Sequence, residues 1–109
     1  LCSTALERAL QDLHRCGRPC LAVVATAGTT IRGAIDPLAE IATVCRRYEA
    51  WFHVDAAIGG VFALSEDWSP LFHGLEQADS ITPGPISRPT PGRWPTLIPL
   101  PSPPRLQRI

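Results

Sequence analysis

The stretch LAVVATAGTTIRGAIDPLAEIATVCRRYEAWFHVD, residues 21–55, decides the fold. It opens with LAVVAT, a continuous apolar run rich in β-branched residues. That pattern predicts a strand covered on both faces, as in a parallel sheet. AGTTIRGAI leaves the strand as a loop. Asp36 and Pro37 then open a helix, an N-cap residue followed by proline at the first helical position. Leu38, Ile41, Ala42 and Cys45 recur at helical spacing as a buried stripe, and Arg46 and Arg47 suit the negative end of the helix dipole. WFHVD reads as the next strand. Strand, helix and strand in this order make a βαβ unit.

The elements on either side fit the same plan. Residues 4–16 read as an amphipathic helix with Leu6, Leu10 and Leu13 on one face. Thr4 and Glu7 have the spacing of a capping box, and Gly17 suits a stop. ADSIT, residues 78–82, predicts one further short strand, after an irregular connection marked by Pro70 and Gly74. Residues 1–82 are therefore expected to form an α/β unit. Of the 27 residues from Pro83 to Ile109, nine are proline, a density that removes backbone donors and blocks helix and sheet. Residues 83–109 are expected to be a disordered tail. A docking arm, in which PSPP adopts polyproline II, is the other reading.

Composition narrows the function. The 109 residues carry a formal net charge of zero, which gives no electrostatic case for nucleic acid or an anionic membrane. All ten acidic residues lie at or before Asp79, whereas the tail has four arginines and no acid; all ten basic residues are arginine, so the chain has no lysine. The cysteines Cys2, Cys16, Cys20 and Cys45 form no C-x-x-C pair and have no histidines at zinc-finger offsets. Cys16 and Cys45 fall on apolar helix faces, which predicts buried thiols in a reducing, cytoplasmic compartment. No signal peptide or membrane-length apolar run is present. The first residue is leucine and not methionine, and a fragment is expected.

In an open parallel sheet, ligands bind beyond the carboxyl ends of the strands. The three predicted strands end there in AGTT, HVDAA and ADSIT. Asp55 is thus expected in a crevice, with His53 projecting from the same face two residues earlier. An acid in this place could be a metal ligand, a general base or the counter-ion of a cationic cofactor; it could also be a cap or an ion-pair partner. No further His, Asp or Glu cluster supports a metal. No G-x-G-x-x-G follows a strand, which argues against a nucleotide-binding domain.

GTT, DPL, HVDAA and ADS, in this order and spacing from about Leu21 to Thr82, resemble the cofactor-binding core of the group II pyridoxal-phosphate decarboxylases. That family includes glutamate, aromatic amino acid and diaminobutyrate decarboxylases. The resemblance implies the large cofactor domain of the aspartate-aminotransferase-like architecture, PLP fold type I. It implies pyridoxal 5'-phosphate as cofactor, α-decarboxylation of an amino acid as the reaction, and homodimers among intact members. It also implies three site residues. Asp55 matches the partner of the protonated ring nitrogen, Ala57 the small residue packed on the ring face, and Thr30 a residue beside the ring. Gly59 and Gly60 are expected to let backbone pass close by.

One departure bears on activity. The family's Schiff-base lysine, counted on from Ser80, falls at position 87, where this chain has Ser87 after Ile86. Arginine cannot replace it, being protonated and non-nucleophilic near neutral pH. The family's phosphate-binding segment and ring-stacking histidine are not seen either. A shifted reading frame or a wrongly joined exon after Thr82 would produce this pattern. The expectation is a decarboxylase fragment that is inactive alone, and the alternative is a non-catalytic interaction module with a proline-rich arm.

Overall fold

The computed structural model describes residues 1–84 and 98–99. Helix α1 (Ser3–Arg15) is followed by strand β1 (Ala22–Thr26), helix α2 (Leu38–Arg47) and strand β2 (Trp51–Ala56). Three short 3-10 turns, Gly60–Leu64, Ser69–Phe72 and Leu75–Gln77, lead to β3 (Ser80–Pro83), and Ile98–Pro99 forms β4. The sheet order is β1-β2-β3-β4. β1 and β3 both lie parallel to β2, and β4 is antiparallel to β3. The βαβ unit and the third strand are therefore as the sequence predicts.

The core lies between one sheet face and the helices. Val23 and Ala25 of β1 and Phe52, Val54 and Ala56 of β2 alternate toward Leu38, Ile41, Ala42 and Cys45 of α2, all of them buried. The helix stripe is thus the predicted one. Burying a side chain the size of Phe52 or Leu38 stabilises the fold by roughly 1.5–3 kcal/mol each. Helix α1 adds Leu10 to the core, with Leu6 and Leu13 packed against it. It ends as its sequence suggests: Gly17 at φ +67° donates to His14 O at 3.0 Å while Arg18 N donates to Leu13 O at 2.9 Å. These two bonds make a Schellman motif.

Several local expectations are corrected. The Thr4–Glu7 capping box does not form: α1 begins after Cys2 with no side-chain cap, which puts Thr4 inside the first turn, and Glu7 pairs with Arg47 of α2. Nor does Asp36 cap α2, whose flanking residue is Pro37. Its Oδ2 accepts from Thr26 N at 2.8 Å, its own N–H donates to Thr26 O at 2.9 Å, and its Oδ1 meets the N-terminal amine. The carboxylate therefore staples the crossover loop to the end of β1. Cys16 is exposed, since it lies at the helix end and not over the core, whereas Cys45 is buried as expected.

The expectation that β1 is covered on both faces is also corrected. Both helices lie on one face, leaving Ala22 and Val24 on the other exposed, Val24 at 59%. The proline-rich segment is not wholly irregular: Pro83 closes β3 opposite Ala56, and Ile98–Pro99 pairs with Ser80 and Ile81. Proline is tolerated in such an edge strand. The remainder of the predicted tail, residues 85–97 and 100–109, lies outside the described residues. No helix among the described residues is long and apolar enough to cross a membrane.

Candidate active site

Three strands bring their carboxyl ends to one edge, and Asp55 stands in the middle. Parallel register sets Thr26 of β1 and Thr82 of β3 on either side of it. Register partners share a face, so two hydroxyl-bearing residues flank the carboxylate. Asp55 is exposed although β2 is largely buried, because it falls on the open face one residue before the strand ends. Its Oδ1 accepts the N–H of Ala57 at 3.0 Å. Oδ2 has no hydrogen-bond partner among the described residues. One oxygen is held and the other is presented.

The small residues around Asp55 have a measurable purpose. A Cβ on Gly59 would lie 2.1 Å from Ala27 O, and one on Gly28 would lie 2.6 Å from Gly59 Cα. The β1 and β2 exit loops thus touch backbone to backbone. Gly84 makes a similar approach: its Cβ would lie 2.2 Å from Ala57 O. Sequence reasoning anticipated Gly59 but passed over Gly28 and Gly84, whose reason is a partner far along the chain. Gly60 is less constrained, with a Cβ 3.1 Å from Ala56 Cβ.

The other two expected site residues fare differently. Ala57 directly follows β2, half-buried, and fixes Asp55 through its N–H. Thr30 occupies an exposed turn at the tip of the loop closed by the Ala27–Ile35 bridge. Its hydroxyl makes no hydrogen bond among the described residues. Thr29 holds that loop instead, accepting from Ala34 N at 3.0 Å.

Two clefts open nearby, and neither includes Asp55, Ala57 or Thr30. One, of about 340 Å³, lies beside Gly28 and Gly59 and is walled by Ile35, Ile58, Phe62 and Trp68. The other, of about 560 Å³, runs past Phe72, His73, Glu76 and Ile81. In its wall the Glu76 carboxyl is held below its usual range, chiefly by its own backbone N–H, with further help from Gln77 and Gly74. No group of three or more His, Cys, Asp or Glu able to hold a metal exists among the described residues.

Two residues outside the expected cofactor contacts secure the edge. Asp79 is buried, and its Oδ2 accepts Phe52 N at 2.7 Å while its own N–H donates to Phe52 O at 2.8 Å. This pair of bonds locks β3 onto β2 three rows before the register row of Asp55. His53 has both ring nitrogens against hydroxyls of β3, Ser80 and Thr82. Alternation in WFHVD placed His53 on the face of Asp55, but nothing local revealed its partners.

Comparison with known proteins gives this geometry a context. Residues 1–87 match the family model described as the pyridoxal-dependent decarboxylase conserved domain, reaching about twenty residues before and five after the stretch 21–82 that carries the resemblance. The acidic amino acid decarboxylase GADL1 of Xenopus tropicalis is 42% identical over 76 residues. The L-2,4-diaminobutyrate decarboxylase of Acinetobacter baumannii is 45% identical over 78 residues. These alignments cover 70% and 72% of the chain, which spans 15% of each relative's length. Among solved structures, mouse CSAD superposes with a TM-score of 0.74 at 44% identity, over 78% of this chain and 18% of that one. Oryza sativa TDC with PLP and tryptamine gives a TM-score of 0.74 at 36% identity over the same shares.

Proposed function

Because the chain belongs to the pyridoxal-dependent decarboxylase family, we propose that it is a segment of the cofactor domain of an amino acid α-decarboxylase. The observation that carries this reading is Asp55, an exposed carboxylate at the strand ends with one oxygen fixed and the other open. Pyridoxal phosphate, when bound, supplies the electron sink for the carbanion left by loss of carbon dioxide. The residues present fit its ring. The open oxygen of Asp55 would accept from the ring N–H, and the negative charge favours the protonated nitrogen. The Ala57 N–H keeps that carboxylate from turning away. The Ala57 methyl is small enough to leave room for a flat ring, and Thr30 would stand beside it.

The relatives' names point to acidic, diamino and aromatic amino acids, whose common chemistry is the α-amino carboxylate. We take that as the substrate class. Intact members of this kind would be cytoplasmic homodimers of aspartate-aminotransferase-like architecture. This chain by itself would not turn over, because position 87 is serine and no lysine occurs anywhere. The segment from Pro83 is read as an added or out-of-frame stretch, its first five residues overlapping the family match.

Borohydride reduction in the presence of pyridoxal phosphate, followed by peptide mass spectrometry, tests this reading. The full chain should show no pyridoxyl adduct except at the N-terminal amine, whereas S87K should gain one at residue 87. S87K combined with D55A should lose most of it. A stoichiometric internal adduct on the parent chain would overturn the lysine argument. Equal labelling of S87K with and without Asp55 would overturn the assigned role of the carboxylate.

A further inference from the structure

On the open sheet face beside Asp55 lies a run of polar side chains that the proposed cofactor contacts leave unused. Trp51 and His53 alternate onto that face from β2, and Ser80 and Thr82 stand next to them on β3. The Trp51 Nε1–H donates to Ser80 Oγ at 2.9 Å. Ser80 Oγ lies 2.8 Å from His53 Nδ1, and Thr82 Oγ1 lies 3.2 Å from His53 Nε2. Ser80 is 6% exposed, so solvent contributes little to its hydroxyl.

Counting donors and acceptors gives the run a direction. An indole nitrogen can only donate, so Ser80 Oγ accepts from Trp51. The serine has one hydrogen of its own, and the one further partner its hydroxyl has among the described residues is His53 Nδ1. A sealed hydroxyl left without an acceptor is costly, so that hydrogen points at Nδ1. A ring nitrogen that accepts carries no proton, which places the hydrogen of the neutral imidazole on Nε2. Nε2–H then donates to Thr82 Oγ1. With its oxygen so engaged, Thr82 turns its own hydrogen outward, in the register row of Asp55.

We infer that Trp51, Ser80 and His53 form a one-way donor chain that fixes His53 as the Nε2–H tautomer and makes Thr82 a hydrogen-bond donor in the crevice. Its ligand chemistry is an oxygen lone pair, on a molecule whose cationic nitrogen meets Asp55. Trp51, Ser80 and His53 are thus positioning residues acting through Thr82. Only that last identification rests on the reading of Asp55; the tautomer does not.

The test is two-bond ¹⁵N–¹H correlation on the full chain with ¹⁵N-labelled histidine, at a pH where the imidazoles are neutral. H53Q assigns the signals, and the exposed His14 and His73 serve as references. His53 should appear with Nε2 protonated and Nδ1 bare. S80A, which removes the hydroxyl that donates to Nδ1, should move it to a mixed tautomer, whereas W51F, which leaves the Ser80 hydrogen with Nδ1 as its acceptor, should keep the Nε2–H form; His14 and His73 keep their shifts in both. T82V should shift the Nε2 resonance and leave the tautomer. His53 protonated on Nδ1 in the parent chain would overturn the inference, whatever the variants do. A wild-type Nε2–H tautomer in S80A would overturn it as well. Because no cofactor is added, a failed cofactor experiment at Asp55 leaves this outcome untouched, and the reverse holds too.

Discussion

One missing carbon at Gly59 sets how closely the two exit loops of the site can meet. The backbone of Gly28, at φ +97°, crosses that of Gly59 with no room for a side chain on either. This contact holds the loop leading to Thr30 against the turn that fixes Asp55. Neighbouring Gly60 makes a graded control, since its added Cβ meets a methyl at 3.1 Å and not a carbonyl at 2.1 Å. A methyl contact can relax by small shifts; a backbone oxygen in a closed loop cannot. G59A should therefore destabilise by about 1–3 kcal/mol, as overpacking does, and G60A by clearly less. Urea unfolding followed by circular dichroism gives both midpoints. A larger loss in G60A than in G59A would show that the loops separate at little cost.

At the scale of elements, the joint between β2 and β3 depends on Asp79. Its backbone N–H and its carboxylate clamp the C=O and N–H of Phe52, one residue before His53. D79A leaves the Phe52 N–H buried without an acceptor and should cost about 1–3 kcal/mol. D79N keeps an acceptor oxygen and should recover much of that loss; equal losses in the two variants would show that the bond contributes nothing. The same joint explains what could be read in advance. The βαβ unit was legible because LAVVAT, the α2 stripe and WFHVD carry their periodicity locally, and Gly17 stops α1 by its own backbone geometry. Asp55 was legible for a similar reason: a charge at the end of an apolar strand stands out in a few residues. The clamp of Asp79, the staple of Asp36 and the partners of His53 were not, because each joins positions at least ten residues apart. The capping box failed on register: Thr4 and Glu7 have the right spacing, but the helix starts at Ser3, and Glu7 meets Arg47, forty residues on. Local spacing offers a bond, and tertiary packing decides whether it is taken.

Across the whole molecule, both helices cover the same face of the sheet, and among the described residues several large apolar side chains elsewhere are left in solvent. Leu21 and Val24 on the β1 side and Ile58, Phe62, Trp68 and Leu71 beyond β2 are all more than half exposed. β1 is also an edge strand, with a row of backbone donors and acceptors facing outward, and such edges template pairing with another chain. A formal net charge of zero adds no long-range repulsion to keep copies apart. These three conditions act together: apolar area drives contact, the edge offers a way to register it, and neutrality removes the opposing term. The purified chain should therefore self-associate near neutral pH. Sedimentation velocity across a concentration series should show the weight-average coefficient rising with concentration. Replacing Val24 and Leu71 by lysine should suppress the rise, since both side chains already face solvent and the added charges repel between copies. A monomer at all concentrations, unfolding in one sharp transition, would mean that 109 residues already form a self-sufficient domain despite these exposed apolar side chains.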